Sequence, residues 1–498
     1  MFLAAFLSLL VQVSLLVGPR GLLPAGEYLR TVGHFADAPT VFWLAASDAA
    51  LRAGALAGAL LGLGLALNLA PRTCLVGCWA LYLSFATIGQ DFLGFQWDNL
   101  LLETAFLALF VTPAGLRPRR APAPRPLAVF LMLWLVFRLH VESGAAKLLL
   151  GDPTWRDLTA MATYYETAPL PTWVGWWVHQ LPLWAHRLCS GYVYLVELGL
   201  PFLLWGPPPV RTAVFLAMAA MQVSIIATAN YGFFNYLSLA LILWVLDDGH
   251  VARVAHVLGR TTEPRPCRRG SRARARLLAV TVVVLVMLSL VPFLPFIRPL
   301  ASLDRHLLPV RRVLGPWRSV NAYHLFAHMT LVRREAVIEA SRDGTTWETY
   351  EFRSKPGDPD RPPPFVAPHQ PRVDFLLWFL LLGRHRTPPY FDALLARLLH
   401  EPAVVAPLFA RDPFPDQPPA LVRVAVYRYR FTDLATRRAT GAWWHRQLEQ
   451  TSRPLPVSPP PAATGRRAGR AGAPGWRRAR CCPGSGSQAR RRRARSRG

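Results

Sequence analysis

The sequence predicts a polytopic α-helical membrane protein (about nine spans) followed by a β-rich soluble C-terminal domain. Three observations predict it. Apolar residues make up 52% of the 498 and charged residues only 17%, against roughly 25% charged in soluble domains. The apolar residues also come in runs near the ~20 residues that a helix needs to cross hydrocarbon. From about Val320 these runs give way to short stretches that alternate apolar and polar, as half-buried strands do.

The apolar runs lie at roughly 1–18, 47–70, 73–92, 98–113, 127–149, 188–206, 211–230, 233–247 and 277–297, the fourth and eighth being short. The first resembles a signal peptide in position but lacks a basic start and a small-residue cleavage site, so it reads as a span. Gly54, Gly58 and Gly62 give the second run a small-xxx-small face, on which helices approach closely; internal packing and a dimer contact are both open.

Arginine placement sets the orientation. Arg117, Arg119, Arg120 and Arg125 fall in one short loop. Arg253, Arg260, Arg265, Arg268, Arg269, Arg272, Arg274 and Arg276 fall in another. Positive loops stay cytoplasmic. With nine crossings both loops share a side with Arg72 and Arg211, and the last span exports everything after about Pro299. The predicted organisation is a membrane domain over 1–300, an exported β-rich domain over 301–450 and an Arg/Pro/Gly-rich tail over 451–498.

In the exported part, Glu335–Phe352 reads as a hairpin around Asp343-Gly344, a dipeptide suited to positive φ. Ala425–Phe431 alternates as a strand, and short helices are expected near 374–382 and 390–400. A β-sandwich with insertions is the expected arrangement. The tail cannot bury a core; it reads either as a disordered segment or as translation in a shifted frame.

The net charge of +27 suggests a polyanion partner until the arginines are located. Thirteen of them follow Thr451, where no acidic residue occurs. Many others lie in short loops, and no helix or aromatic-interleaved sheet concentrates the charge, which argues against nucleic acid. Cys74, Cys78, Cys189, Cys267, Cys481 and Cys482 form neither a zinc spacing nor a Cys-x-x-Cys pair. No metal site is expected. Hydrolase, phosphate-loop and dinucleotide signatures are absent.

Chemistry is more plausible at membrane depth, where an ionisable residue costs several kcal/mol unless paired or watered, about 2.5–3.5 on lenient scales. The fifth run and its exit hold Arg138, His140, Glu142 and Lys147. Arg138 and Glu142 are four apart and can pair; His140 and Lys147 share another face. All four must face protein or a wet cavity. Either they form a polar site or they lock helices together. Asn99, Glu103 and Asp98 in the fourth run and Glu197 in the sixth offer further carboxylates, any of which could neutralise Arg138 or Lys147. The loop 150–187, with Trp155, Tyr164, Tyr165, Glu166, Trp173, Trp176 and Trp177, reads as an interfacial re-entrant segment, or alternatively a lid over an apolar ligand.

GQDFLGFQWDNLLLETAFLALF (89–110), FRLHVESGAAKLLLGDPTWRDLTAM (137–161), NAYHLFAHMT (321–330), YEFRSKPGDPDRPPPFVAPHQPRVDFLLWF (350–379) and VYRYRFTD with RRATGAWWHRQL (426–448) resemble the lipase maturation factor family. The resemblance runs from near the N-terminus to about Leu448; the Arg-rich tail falls outside it. It implies a membrane protein that assists folding or assembly of exported client proteins, dimeric secreted lipases in eukaryotes, with the C-terminal domain binding clients. The implied partners are those clients and membrane lipid. The GC-rich style of composition points to a bacterial cytoplasmic membrane, and in a eukaryote the resemblance implies the endoplasmic reticulum membrane; in both the C-terminal domain is non-cytoplasmic.

A second resemblance is shorter. Ser143, Gly144, Lys147, Leu148, Asp152 and Trp155 are similar to a motif in the membrane domain of vitamin K-dependent γ-carboxylase and its bacterial relatives. It implies an alternative function, a quinone- or lipid-dependent membrane enzyme with Lys147 as general base beside Arg138, His140 and Glu142.

Overall fold

The computed structural model describes residues 1–118, 121–259, 271–297, 301–382 and 387–456. Arg119, Arg120, Arg260, Arg265, Arg268, Arg269, the cysteines at 267, 481 and 482, and the tail beyond Pro456 lie outside the described residues.

Helices α1 (Phe2–Leu10), α2 (Asp48–Ala66), α3 (Pro71–Ile88), α4 (Gln96–Ala108), α5 (Pro126–Leu149), α6 (Pro208–Thr228), α7 (Phe234–Ile242) and α8 (Arg272–Leu290) form the bundle. Four helical stretches among the described residues are long and apolar enough to cross a membrane: α2, α5, α6 and Arg272–Phe296. The other predicted runs are shorter or broken. The first divides into α1 and Val13–Val17. The sixth becomes Leu183–Tyr194, a π turn at Leu195–Gly199 and a 3₁₀ turn at Leu200–Leu203. Pro201 causes that break, because it has no amide to offer the carbonyl of Glu197.

Local chemistry sets the helix starts. The Ser47 hydroxyl caps α2 by accepting from the Ala50 amide at 3.3 Å. Pro126 and Pro208 open α5 and α6 at positions where a missing amide costs nothing. The glycine face of α2 is internal: a Cβ on Gly58 would lie 2.4 Å from the Phe6 ring, and one on Gly62 would lie 2.7 Å from the Leu3 amide nitrogen. Among the described residues the glycines therefore serve the α1–α2 contact.

The C-terminal region carries one antiparallel sheet in the order β3-β2-β1-β4-β5, with β6 also on β4. Its strands are β1 (Arg333–Ser341), β2 (Glu348–Phe352), β3 (Phe409–Arg411), β4 (Leu421–Phe431), β5 (Trp444–Thr451) and β6 (Leu455–Pro456). The hairpin β1–β2 pairs Ile338 with Tyr350, and Gly344 in its turn has φ +78°. The Asp343 carboxylate closes the turn by accepting from the Thr345 and Thr346 amides, both at 2.8 Å. Helix α9 (Arg372–Leu380) packs on β1 and α10 (Pro389–His400) on β4.

The expected sandwich is not formed: among the described residues there is one sheet. Helices cover it, and β1 is buried at eight of its nine positions. Alternation signals a half-buried strand and does not say whether a helix or a second sheet covers it. The sheet also continues through β6, past the composition change after Thr451.

One compact unit spans Met1–Val457, and a continuous apolar core includes Phe2 and Phe6 of α1 together with Tyr429 and Trp444 of the sheet.

Candidate functional site

The site lies where the C-terminal region meets the bundle. Its charges come from α4 and α5. On α5, Arg138 and Glu142 share a face and their side chains approach to 3.4 Å. The main partner of Arg138 is Glu103 of α4. Arg138 also donates to the carbonyls of Ser289 at 2.7 Å and Asn321 at 3.0 Å. Glu103 accepts in return from the Asn321 amide at 3.0 Å, its side chain at 2.9 Å and the Tyr323 hydroxyl at 2.8 Å. The Tyr323 amide donates to Glu142 at 2.9 Å.

One turn further along α5, Lys147 meets Glu197, the acid that the π turn presents. Nζ lies 2.7 and 3.0 Å from the two carboxylate oxygens, 2.9 Å from the Leu325 carbonyl and 3.4 Å from the Ser143 carbonyl. The Trp155 ring lies 5.1 Å away. His140 stands apart: its Nδ1 is 2.8 Å from the Val136 carbonyl, and its buried Nε2 has no partner. Of the four residues singled out on α5, the structure joins Arg138 to Glu142 and leaves Lys147 and His140 in separate surroundings.

A second clasp forms at Asp98. Its two oxygens receive both terminal nitrogens of Arg372, at 2.7 and 2.8 Å, and the Tyr82 hydroxyl at 2.6 Å. Arg372 opens α9, so this bidentate pair joins the C-terminal region directly to the bundle. The residues before it run through the bundle's end as an irregular strap. Asn230, just past α6, donates to the carbonyls of Leu170 and Pro364, while its side-chain oxygen accepts from the amides of Val366 and Ala367. The Gln370 amide donates to Ser8 Oγ at 3.0 Å; Gln12 donates to the Gln370 carbonyl at 2.8 Å and accepts from the Arg372 amide at 3.1 Å.

The loop 150–187 supports the sheet. Trp155, Tyr164, Tyr165 and Trp176 are buried, with Tyr164 against Phe326 and Trp176 against Trp443. Arg333 of β1 donates to the carbonyls of Glu166, Ala168 and Pro169. The Glu166 carboxylate accepts from the Phe431 amide at 2.8 Å, and burial raises its pKa. Burial pushes the His179 imidazole down to about 4. The interfacial reading therefore needs correction for the buried rings, which face protein. A half-apolar, half-polar ring suits a protein–protein contact as well as a lipid boundary. Trp173 and Trp177 remain about half exposed.

Sequence reasoning located the charges of α4 and α5, but missed Ser8, Gln12, Asn230, Asn321, Arg333 and Arg372. An Asn at the end of an apolar run and an Arg directly after Pro371 were the available signals. Among the described residues no cluster of His, Cys, Asp or Glu could hold a metal. Chemically, the arrangement is a set of compensated buried charges.

The lipase maturation factor transmembrane domain model matches residues 1–253, and the lipase maturation factor C-terminal domain model matches 319–454. The chain is 32% identical to lipase maturation factor 2 of Homo sapiens, over 90% of this chain and 79% of that protein. It is 31% identical to lipase maturation factor 1 of Bos taurus, over 90% and 85%. No solved structure matches. The two matched regions are those that the Arg138, Lys147 and Asp98 clusters fasten together, and on this evidence the chain belongs to the lipase maturation factor family.

Proposed function

We propose that this protein is a membrane-bound maturation factor that assists folding or assembly of exported proteins, lipases by the name its relatives carry. The observation that carries this reading is family membership over both regions at once. The finer proposal is a bundle of nine crossings over about 1–300, with residues about 301–450 on the non-cytoplasmic side offering the client surface. In support, the C-terminal region touches the bundle at Ser8, Asp98, Lys147 and Asn230, near helix ends opposite Arg72 and Arg211. Arg72 instead donates to the Thr112 carbonyl and Arg211 to the Val245 carbonyl, beside the basic loops.

Against the enzyme alternative, a general base needs a free lone pair, whereas the groups around Lys147 Nζ are hydrogen-bond acceptors that take its hydrogens. The deciding experiment measures the specific activity of a co-expressed secreted lipase, per unit of lipase protein. Cells carry no factor, the intact factor, or Lys147→Met/Glu197→Met, which removes both charges together. The proposal expects restoration by the intact factor and by the double variant at equal abundance. Loss with the double variant alone would move the function to the lysine. No gain from the intact factor would reject lipases as clients.

A further inference from the structure

Beside the strap, α1, the first turn of α2 and the C-terminal region enclose a cavity of about 500 Å³, within the size range of small-ligand sites, ~300–1,000 Å³. Arg20, Arg52 and Arg353 line it. None of the three has a carboxylate partner among the described residues: Arg52 donates through Nε to Ser14 Oγ at 3.0 Å, and Arg353 through Nε to the Pro407 carbonyl at 3.0 Å. Two buried arginines of this junction are matched by acids, Arg372 by Asp98 and Arg138 by Glu103.

Two acids also line the cavity; one is bonded to backbone amides, and the buried Oδ1 of the other, Asp48, has no hydrogen-bond partner among the described residues. Asp374 accepts from the amides of Ser354 and Lys355 at 2.8 and 3.1 Å. Asp48 turns its buried Oδ1 toward the Gly18 backbone, where an added Cβ would lie 2.4 Å from it. Three arginines from separate segments thus line the cavity against two acids, with no ion pair between them among the described residues. Guanidinium forks suit phosphate oxygens.

The outer face of α2 adds a second feature. Arg52, Leu56, Leu60 and Leu63 follow at helical spacing on one face, and the three leucines are 51%, 60% and 42% exposed. An exposed apolar stripe therefore leads away from the arginine along a membrane-crossing helix. Leu7 of α1 and Val11 just past its end are also exposed, at 47% and 72%.

We propose that this cavity binds a phosphate-bearing anion, with the α2 stripe favouring the headgroup of an anionic phospholipid whose chains lie along Leu56, Leu60 and Leu63. Anion binding here does not depend on the lipase role.

The test uses the full chain in nanodiscs of phosphatidylcholine with a minority of phosphatidylglycerol. Native mass spectrometry reads the lipids it retains, and thermal unfolding with added glycerol 3-phosphate reads the soluble source. Wild type is expected to retain phosphatidylglycerol in preference. The variant R20Q/R52Q/R353Q is expected to lose that preference by about tenfold, and R20K/R52K/R353K to keep most of it. Stabilisation of wild type but not of the Gln variant by glycerol 3-phosphate, without lipid preference, would support the anion site with a soluble ligand. Should the triple variant not fold, R353Q alone, at an exposed bend, is expected to lower retention about threefold. Equal phosphatidylglycerol retention and no phosphate response in folded wild type and variants would overturn the proposal.

Discussion

Segments 321–330 and 363–372 both fasten the C-terminal region to the bundle, and they bring different chemistry. The first brings neutral groups to ion pairs that the bundle already contains. Asn321, Tyr323 and the Leu325 carbonyl complete the shells of Arg138–Glu103 and Lys147–Glu197. The second segment brings a charge: Asp98 is compensated by Arg372, 274 residues away in sequence. Loss of the first would leave charges paired but under-bonded. Loss of the second would leave a carboxylate alone in the core. The C-terminal region is therefore a structural part of the bundle.

The comparison can be broken most sharply at Arg372. Arg372→Met strands Asp98, and removing one partner of a buried pair costs about 3–5 kcal/mol. Chemical unfolding in detergent should show that loss, with most of it recovered in Arg372→Met/Asp98→Leu; a single variant as stable as wild type would refute the distinction. Asn230→Ala orphans the Val366 and Ala367 amides and the Pro364 carbonyl, for about 2–4 kcal/mol, read as early proteolysis of the strap. Tyr323→Phe removes one hydrogen bond to an already paired Glu103 and should cost about 1.5 kcal/mol. Were Tyr323→Phe to cost as much as Arg372→Met, the two segments would not differ.

The smallest effect is expected at Asp343, remote from both segments. The Thr346 and Thr345 amides and the Ser341 hydroxyl hold its carboxyl below the usual carboxylate range. A depressed folded pKa stabilises fully above the unfolded value and is lost as pH falls through the folded one. Asp343→Ala should therefore weaken the hairpin at neutral pH and leave strongly acidic stability unchanged. Hydrogen exchange of the β1–β2 turn across a pH series checks this.

Much of this architecture is local and so was legible. The Asp343-Gly344 turn, the strand at Ala425–Phe431 and the two helices of the C-terminal region follow from periodicity and turn chemistry within a few residues. That Arg138 and Lys147 must face protein follows from the cost of charge in lipid. Glu103 and Glu197 were legible as candidate partners, but which acid meets which base was not, because they are 35 and 50 residues away and a helix-face argument reaches only a few turns. The sheet's cover was hidden for the same reason, and the aromatic loop was misread because protein and lipid interfaces favour the same side chains.

The strap also has a bearing on when the molecule can finish folding. Ser8 and Gln12 are made about 360 residues before their long-range partners in His369, Gln370 and Arg372. During synthesis, which folds N-terminal parts first, Ser8, Gln12 and Asp98 have only their local partners. Residues 369–372 must return to the helices that preceded them before these long-range bonds form. The fold is thus completed only when residues 369–372 find helices made some 270 to 360 residues earlier.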